Sequence, residues 1–163
     1  MTVKTRSERT ARLIVAFRPP AANTLHQLAD WDPGDLGRLQ TEYTRLFVNA
    51  RGGPVAPAEA VGWLADRGVA AQTEYLAALL AAYATDGVAL DPRAGLAPDH
   101  IAILLEYRWL LEERGEEGEV DAFDARFLQP WIPQFTATLE AAETVPFYRT
   151  AARELRDLVL PPA

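Results

Sequence analysis

Apolar residues in this chain recur at steps of three and four almost from end to end, and nowhere alternate with polar ones over a useful length. That is the pattern of helices that bury one face, not of half-solvated strands. The clearest run is Leu36, Leu39, Tyr43, Leu46, Phe47 and Ala50. It is entered through Asp32-Pro33, a cap residue followed by proline at the first helical position, and closed by Gly52-Gly53-Pro54. Before it, Ser7–Phe17 reads as a first helix stopped by Pro19-Pro20, and Asn23 caps a short one reaching Trp31. After it, Pro57 opens a short helix to about Asp66. Gly68 breaks the chain, and Val69–Thr85 carries Leu76, Leu79, Leu80 and Tyr83 on one face before Gly87.

A loop over Asp86–Ala97 leads to Pro98-Asp99-His100, which opens the apolar run Ile101–Leu111. Proline suits a first helical turn, and an acid there meets the positive end of the helix dipole. The apolar positions of this helix occupy more than one stripe, so it is expected to be central and packed on several sides. Gly115–Val120 reads as a charged connection. From Glu112 to Arg126 there are seven acids and two bases, the composition of a solvated face. Phe123–Leu128 starts a further helix that Pro130 and Pro133 interrupt, Trp131 and Phe135 belong to the next, and Pro146 opens the last. The expected fold is a single compact all-α domain over residues 1–163, of about eight or nine helices, with residues 1–6 flexible and essentially no sheet.

Composition narrows the chemistry. There is no cysteine, so disulfides and thiolate metal sites are excluded, as suits a reducing cytoplasm. The net charge of −7 makes nucleic acid a poor partner, because phosphate contacts supply most non-specific affinity. The basic start (Lys4, Arg6, Arg9, Arg12 and Arg18 against Glu8) reads as an amphipathic helix, since Leu13–Phe17 is too short for the apolar core of a secretory signal. No stretch approaches the roughly 20 apolar residues of a membrane span.

Phosphate-binding loops, dinucleotide fingerprints and paired-histidine zinc motifs are missing. Neither His26 nor His100 follows a glutamate by three residues, and neither sits at ligand spacing, so no metal or cofactor is expected. The only serine, Ser7, lies in the basic N-terminal segment, which disfavours a serine triad. The chain is therefore not expected to be an enzyme.

Three segments remain. Glu42-Tyr43-Thr44-Arg45-Leu46-Phe47 leads into Pro57-Ala58-Glu59-Ala60-Val61. Pro98-Asp99-His100 leads to Glu106-Tyr107. Trp131-Ile132-Pro133-Gln134-Phe135 is followed by Pro146-Phe147-Tyr148. In this order the chain resembles the TorD/DmsD/NarJ family of cytoplasmic, all-helical chaperones for molybdopterin oxidoreductases, over roughly residues 7–160. It departs from that pattern at Ala58 and Ala60, where an aromatic and a serine are commoner, at Leu104, where an acid is common, and near Phe127, where a histidine is common.

The resemblance implies a cytoplasmic protein that binds the N-terminal leader, or the apo form, of the catalytic subunit of a dimethyl-sulfoxide-reductase-type enzyme. It would support cofactor insertion before export or membrane assembly. It also implies peptide contacts at Tyr43, Leu46, Phe47, Pro98, Asp99 and His100. A leader with an arginine-rich start and an apolar stretch suits an apolar groove with acids at one end, for which Glu59, Trp63 and Glu106 are further candidates. On spacing alone, Tyr43, Leu46, Phe47 and Trp63 also fit a core face, Asp99 a helix entry, His100 a satisfied structural histidine, and Glu59 and Glu106 surface charges. A helical interaction module with an unrelated assembly or regulatory partner stays open, as does a nucleotide-binding protein or enzyme using His100 and Asp99.

Overall fold

The computed structural model describes residues 4–162. Residues 1–3 of the segment expected to be flexible lie outside the described residues. Thr5 and Arg6 begin helix α1 (Arg6–Phe17), where Thr5 and Glu8 exchange side-chain and backbone hydrogen bonds in a capping box. Eight more α-helices follow among the described residues: α2 (Ala22–Leu25), α3 (Leu36–Tyr43), α4 (Ala60–Trp63), α5 (Val69–Thr85), α6 (Ile101–Glu113), α7 (Glu117–Phe123), α8 (Ile132–Ala141) and α9 (Pro146–Val159). A single isolated antiparallel bridge joins Glu59 to His100. The all-helical expectation holds.

Several boundaries differ from the sequence reading, each for a local reason. Asp35, not Asp32, caps α3, by accepting from the Arg38 N–H at 3.2 Å. Asp32 instead turns the chain in a left-handed conformation with φ 49°. Pro57-Ala58-Glu59 is extended rather than helical, because it pairs with the segment before α6. Glu117–Phe123, most of it expected as a charged connection, forms α7, and Glu117 and Glu119 lie in its first turn at the positive end of the dipole.

Two helices end in π-turns. Asn49 N–H reaches Thr44 C=O at 2.8 Å, and Gln129 N–H reaches Asp124 C=O at 2.8 Å, each a five-residue step. The wider turn brings the sequence neighbours Leu46 and Phe47 into the interior together.

Helix α6 is central, as its several apolar stripes predicted: Ile101–Leu105, Tyr107, Arg108 and Leu111 are all buried. Helix α1 lies along α6 and reaches α9, and α8 packs on α9, so both ends of the chain close on one core. An aromatic cluster fills it. Phe47 lies 5.1 Å from Tyr43, 5.3 Å from Tyr148 and 6.0 Å from Phe17, centroid to centroid, in tilted and edge-on arrangements that aromatic rings favour. Helix α5 is less well covered. Leu79 and Tyr83 are buried, but Leu80, predicted on the same face, is 46% exposed. No helix among the described residues is long and apolar enough to cross a membrane.

Candidate functional site

The extended bridge unites two of the three sequence segments. Ile101 N–H donates to Ala58 C=O at 2.9 Å, and Ala60 N–H donates to Asp99 C=O at 3.1 Å. Pro98-Asp99-His100 thus lies against Pro57–Val61, with Tyr43 beneath it. Pro98 does not begin a helix: His100 is the cap of α6, its Nδ1 accepting from the Ala102 N–H at 3.0 Å. Asp99 does not serve α6 at all. Its buried carboxylate accepts from the Val61 N–H at 3.0 Å and so caps the short α4 from across the chain. A four-residue helix whose own cap position makes no side-chain bond needs such a partner.

His100 is buried and uncharged. Burial, and then the nearby charge of Arg18, lower its pKa to about 4. Since Nδ1 is an acceptor, the ring proton sits on Nε2, 3.4 Å from the Tyr43 hydroxyl oxygen. Tyr43 in turn donates to Phe17 C=O at 3.2 Å. Burial, reinforced by the charge of Glu59, keeps that hydroxyl protonated far above its ordinary range. A continuous hydrogen-bonded path therefore runs from the α6 entry to the end of α1. It fixes three chain segments.

The predicted contact residues divide by exposure. Tyr43, Leu46, Phe47, Asp99 and His100 are interior, while Pro98, Glu59 and Trp63 are partly open. Trp63 donates its indole N–H to Pro57 C=O at 2.8 Å and lays its ring edge-on to Phe135. Glu59 is half-buried with no ion-pair partner among the described residues. Burial, then the charge of Asp99, raise its pKa above the usual carboxylate range. Glu106 stands apart from this group and pairs with Arg18.

Glu106 marks a second feature, a cleft of about 440 Å³ between α6 and the loop after α5. One wall is Ile103, Glu106, Tyr107 and Leu110, a single helical stripe; the other is Val88, Ala89, Leu90, Asp91 and Ala94. Trp109, 39% exposed, lies at its side. The Tyr83 ring lines the cleft, and its hydroxyl donates to Pro98 C=O at 2.9 Å, tying the cleft to the Pro-Asp-His loop. The sequence reading missed the loop wall, Arg18 and Trp109. The signal was present in α6, whose second apolar stripe is buried at Ile103 and at Tyr107, the latter against α5 and α7, but left partly open at Leu110.

Also missed was a buried charge cluster. Arg108 is fully buried, with Nε and Nη2 at 2.8 and 3.0 Å from the two Asp124 oxygens and Nη1 at 2.7 Å from Thr10 Oγ1. Glu112 completes its shell, and Arg6 reaches Asp124 and Glu112 from outside. Two of the acids read as part of a solvated face are therefore core ligands of an arginine. Among the described residues no three His, Asp or Glu side chains gather as metal donors would.

A family model described as the nitrate reductase delta subunit matches residues 16–137. That span contains the Tyr43–Phe47 turn, the bridge and the cleft wall on α6. The chain is 38% identical over 71 residues to chaperone protein YcdY of Escherichia coli (strain K12), a stretch that covers 42% of this chain and 39% of that protein. The match thus spans about two fifths of that relative's length. The fold is similar to the crystal structure of a candidate redox enzyme maturation protein from Archaeoglobus fulgidus, with a TM-score of 0.69, 96% of this chain and 94% of that chain covered, and 19% identity. At that identity the likeness is one of fold.

Proposed function

The chain belongs to the nitrate reductase delta subunit family, and from that membership we propose that it is a maturation chaperone for a redox enzyme, acting by reversible binding and without covalent chemistry. The partner is the catalytic subunit of a molybdopterin oxidoreductase of the dimethyl-sulfoxide-reductase type, met in the cytoplasm. The chaperone holds its N-terminal leader, its apo form or both until the cofactor is in place. The observation that carries this reading is the extent of the family match, which embraces all the segments joined around the Pro98 loop.

The geometry supports a division of labour among the named residues. Tyr43, Asp99 and His100 hold the loop from beneath, and Leu46 and Phe47 pack in the core behind Tyr43. Pro98, Glu59 and Trp63 present the surface that a leader meets. A half-buried carboxylate that no cation among the described residues pairs, as at Glu59, is suited to a guanidinium, whose charge-assisted hydrogen bonds are among the stronger kinds.

Capture from the native host with the tagged full-length chain tests this. The expected result is enrichment of a molybdopterin oxidoreductase catalytic subunit, reduced when its leader is deleted and reduced by Glu59→Gln. Recovery of no redox enzyme, or only of an unrelated assembly or regulatory protein, overturns the proposal.

A further inference from the structure

We propose that the cleft between α6 and the 88–94 loop is a second binding point for the same partner, a seat for a peptide segment that carries an arginine beside apolar side chains. In the free protein Arg18 occupies the arginine position. This rests on the reading of the chain as a leader-binding chaperone and adds where, and by what exchange, the peptide is held.

The argument starts from α6. Ile103, Glu106, Tyr107 and Leu110 follow at steps of three, one and three and so form one stripe about two turns, or roughly 10 Å, long. Ile103 and Tyr107 are buried at the base of this stripe, while Glu106 and Leu110 are partly open. This side faces an opening floored by Tyr83 and edged by Val88 and Leu90. Its volume of about 440 Å³ is that of a built binding cleft rather than a surface dimple. Trp109 stands at its side, partly exposed on a helix whose other large apolar side chains are buried or half-buried. Two turns of groove fit about two turns of an amphipathic helical peptide.

The charge at the centre selects the occupant. Glu106 interrupts an otherwise apolar stripe, and the group on it is a guanidinium, that of Arg18. The chain itself therefore shows what this carboxylate takes. Arg18 comes from the end of α1, just before Pro19-Pro20, and is itself 46% exposed, so it can leave to water without burying a charge. An exposed pair of this kind is worth little in stability. A peptide arginine that also brings apolar side chains into the cleft covers Glu106 from water, so its ion pair is worth more than the exposed one it displaces, and the peptide gains the apolar contact besides. Arg18 is thus a built-in competitor that sets how much apolar surface a peptide must offer. The Tyr83–Pro98 hydrogen bond ties the cleft to the Pro-Asp-His loop, so one leader can engage both.

The test uses the full-length chain and a synthetic peptide of two arginines followed by ten leucine and alanine residues, with a second peptide bearing glutamine for both arginines. Binding is read by calorimetry and by tryptophan fluorescence, and the melting of each variant is checked against the parent. Arg18→Gln is expected to tighten the arginine peptide several-fold and to leave the glutamine peptide unchanged. Glu106→Gln is expected to weaken the arginine peptide by about tenfold, the scale of one charge-assisted hydrogen bond, and to narrow the difference between the two peptides to what Glu59 contributes. Trp109→Phe should remove the part of the fluorescence change that arises in the cleft and leave the part that arises at Trp63. Equal binding by Glu106→Gln and parent, weaker binding by Arg18→Gln, or no binding of the peptide overturns the cleft assignment. If the parent and Glu106→Gln capture the redox enzyme equally well, the cleft fails and the chaperone reading stands. If peptide binding follows Glu106 but no redox enzyme is captured, the reverse holds.

Discussion

His100 shows what a single residue contributes here and what it does not. A histidine beside an aspartate invites a catalytic reading, yet both ring nitrogens are committed, one to the Ala102 N–H and one toward Tyr43. Its pKa of about 4 in the folded chain lies below the ordinary 6.5, with burial the larger cause and Arg18 the smaller. Between those values the unfolded chain binds a proton that the folded chain refuses, so stability falls as the pH drops through that window. The loss from this one group approaches about 3 kcal/mol by pH 4. His100→Asn keeps an acceptor at the cap position, since asparagine caps well, and removes the titration. Urea midpoints measured between pH 4 and pH 7 should therefore fall less steeply for the variant than for the parent, whatever the variant loses at pH 7. Parallel curves would mean that His100 does not carry the dependence. The cap role could not be read from sequence, because Pro98 offered an equally good helix start. The bridge to Glu59 that pulls Pro98 and Asp99 out of the helix joins residues some forty positions apart in the chain.

At the scale of elements, period and breakers located the helices, while tertiary partners set their ends and faces. The stripe Leu36–Phe47 was legible as a buried face, but the π-turn that lets both Leu46 and Phe47 point inward was not. A five-residue step leaves no mark of its own in a three-and-four pattern. Helix α5 is the sharper case. Its 17 residues include one charged side chain, Glu74, so no polar face fixes its rotation, and the face expected through Leu76, Leu79, Leu80 and Tyr83 is wider than the one that is buried. Leu79 is fully buried and Leu80 is 46% exposed. Leu79→Ala should cost about 2–5 kcal/mol, as loss of a buried leucine does. Leu80→Ala should stay within about 0.5 kcal/mol of the parent, as for surface changes. Urea unfolding followed by helical circular dichroism separates the two, and equal losses would show that α5 packs in a different rotation.

At the scale of the whole molecule, the all-α class and the central place of α6 followed from the sequence, but the clasp that joins the first helix to the second half did not. Charge runs read as solvated because most are, and nothing local distinguishes Asp124 from Asp121 beside it. The distinction is made by Arg108, buried on α6, which draws Asp124 inward from the π-turn after α7 and holds Thr10 of α1. Burial pushes the Asp124 carboxyl upward, against the pull of its bidentate arginine. Ion pairs of this kind contribute little net stability when formed, but breaking one side strands the other. Asp124→Ala leaves Arg108 with Glu112 alone among acids, and should lower stability by about 3–5 kcal/mol with the slope of the urea transition unchanged. Adding Arg108→Met removes the stranded charge while Arg6 remains to face Glu112, so the double variant should be no less stable than Asp124→Ala. Losses that instead add, with the double variant less stable by the full Arg108→Met cost, would mean that the two side chains act separately and that α1, α6 and the turn after α7 are held together by apolar packing alone.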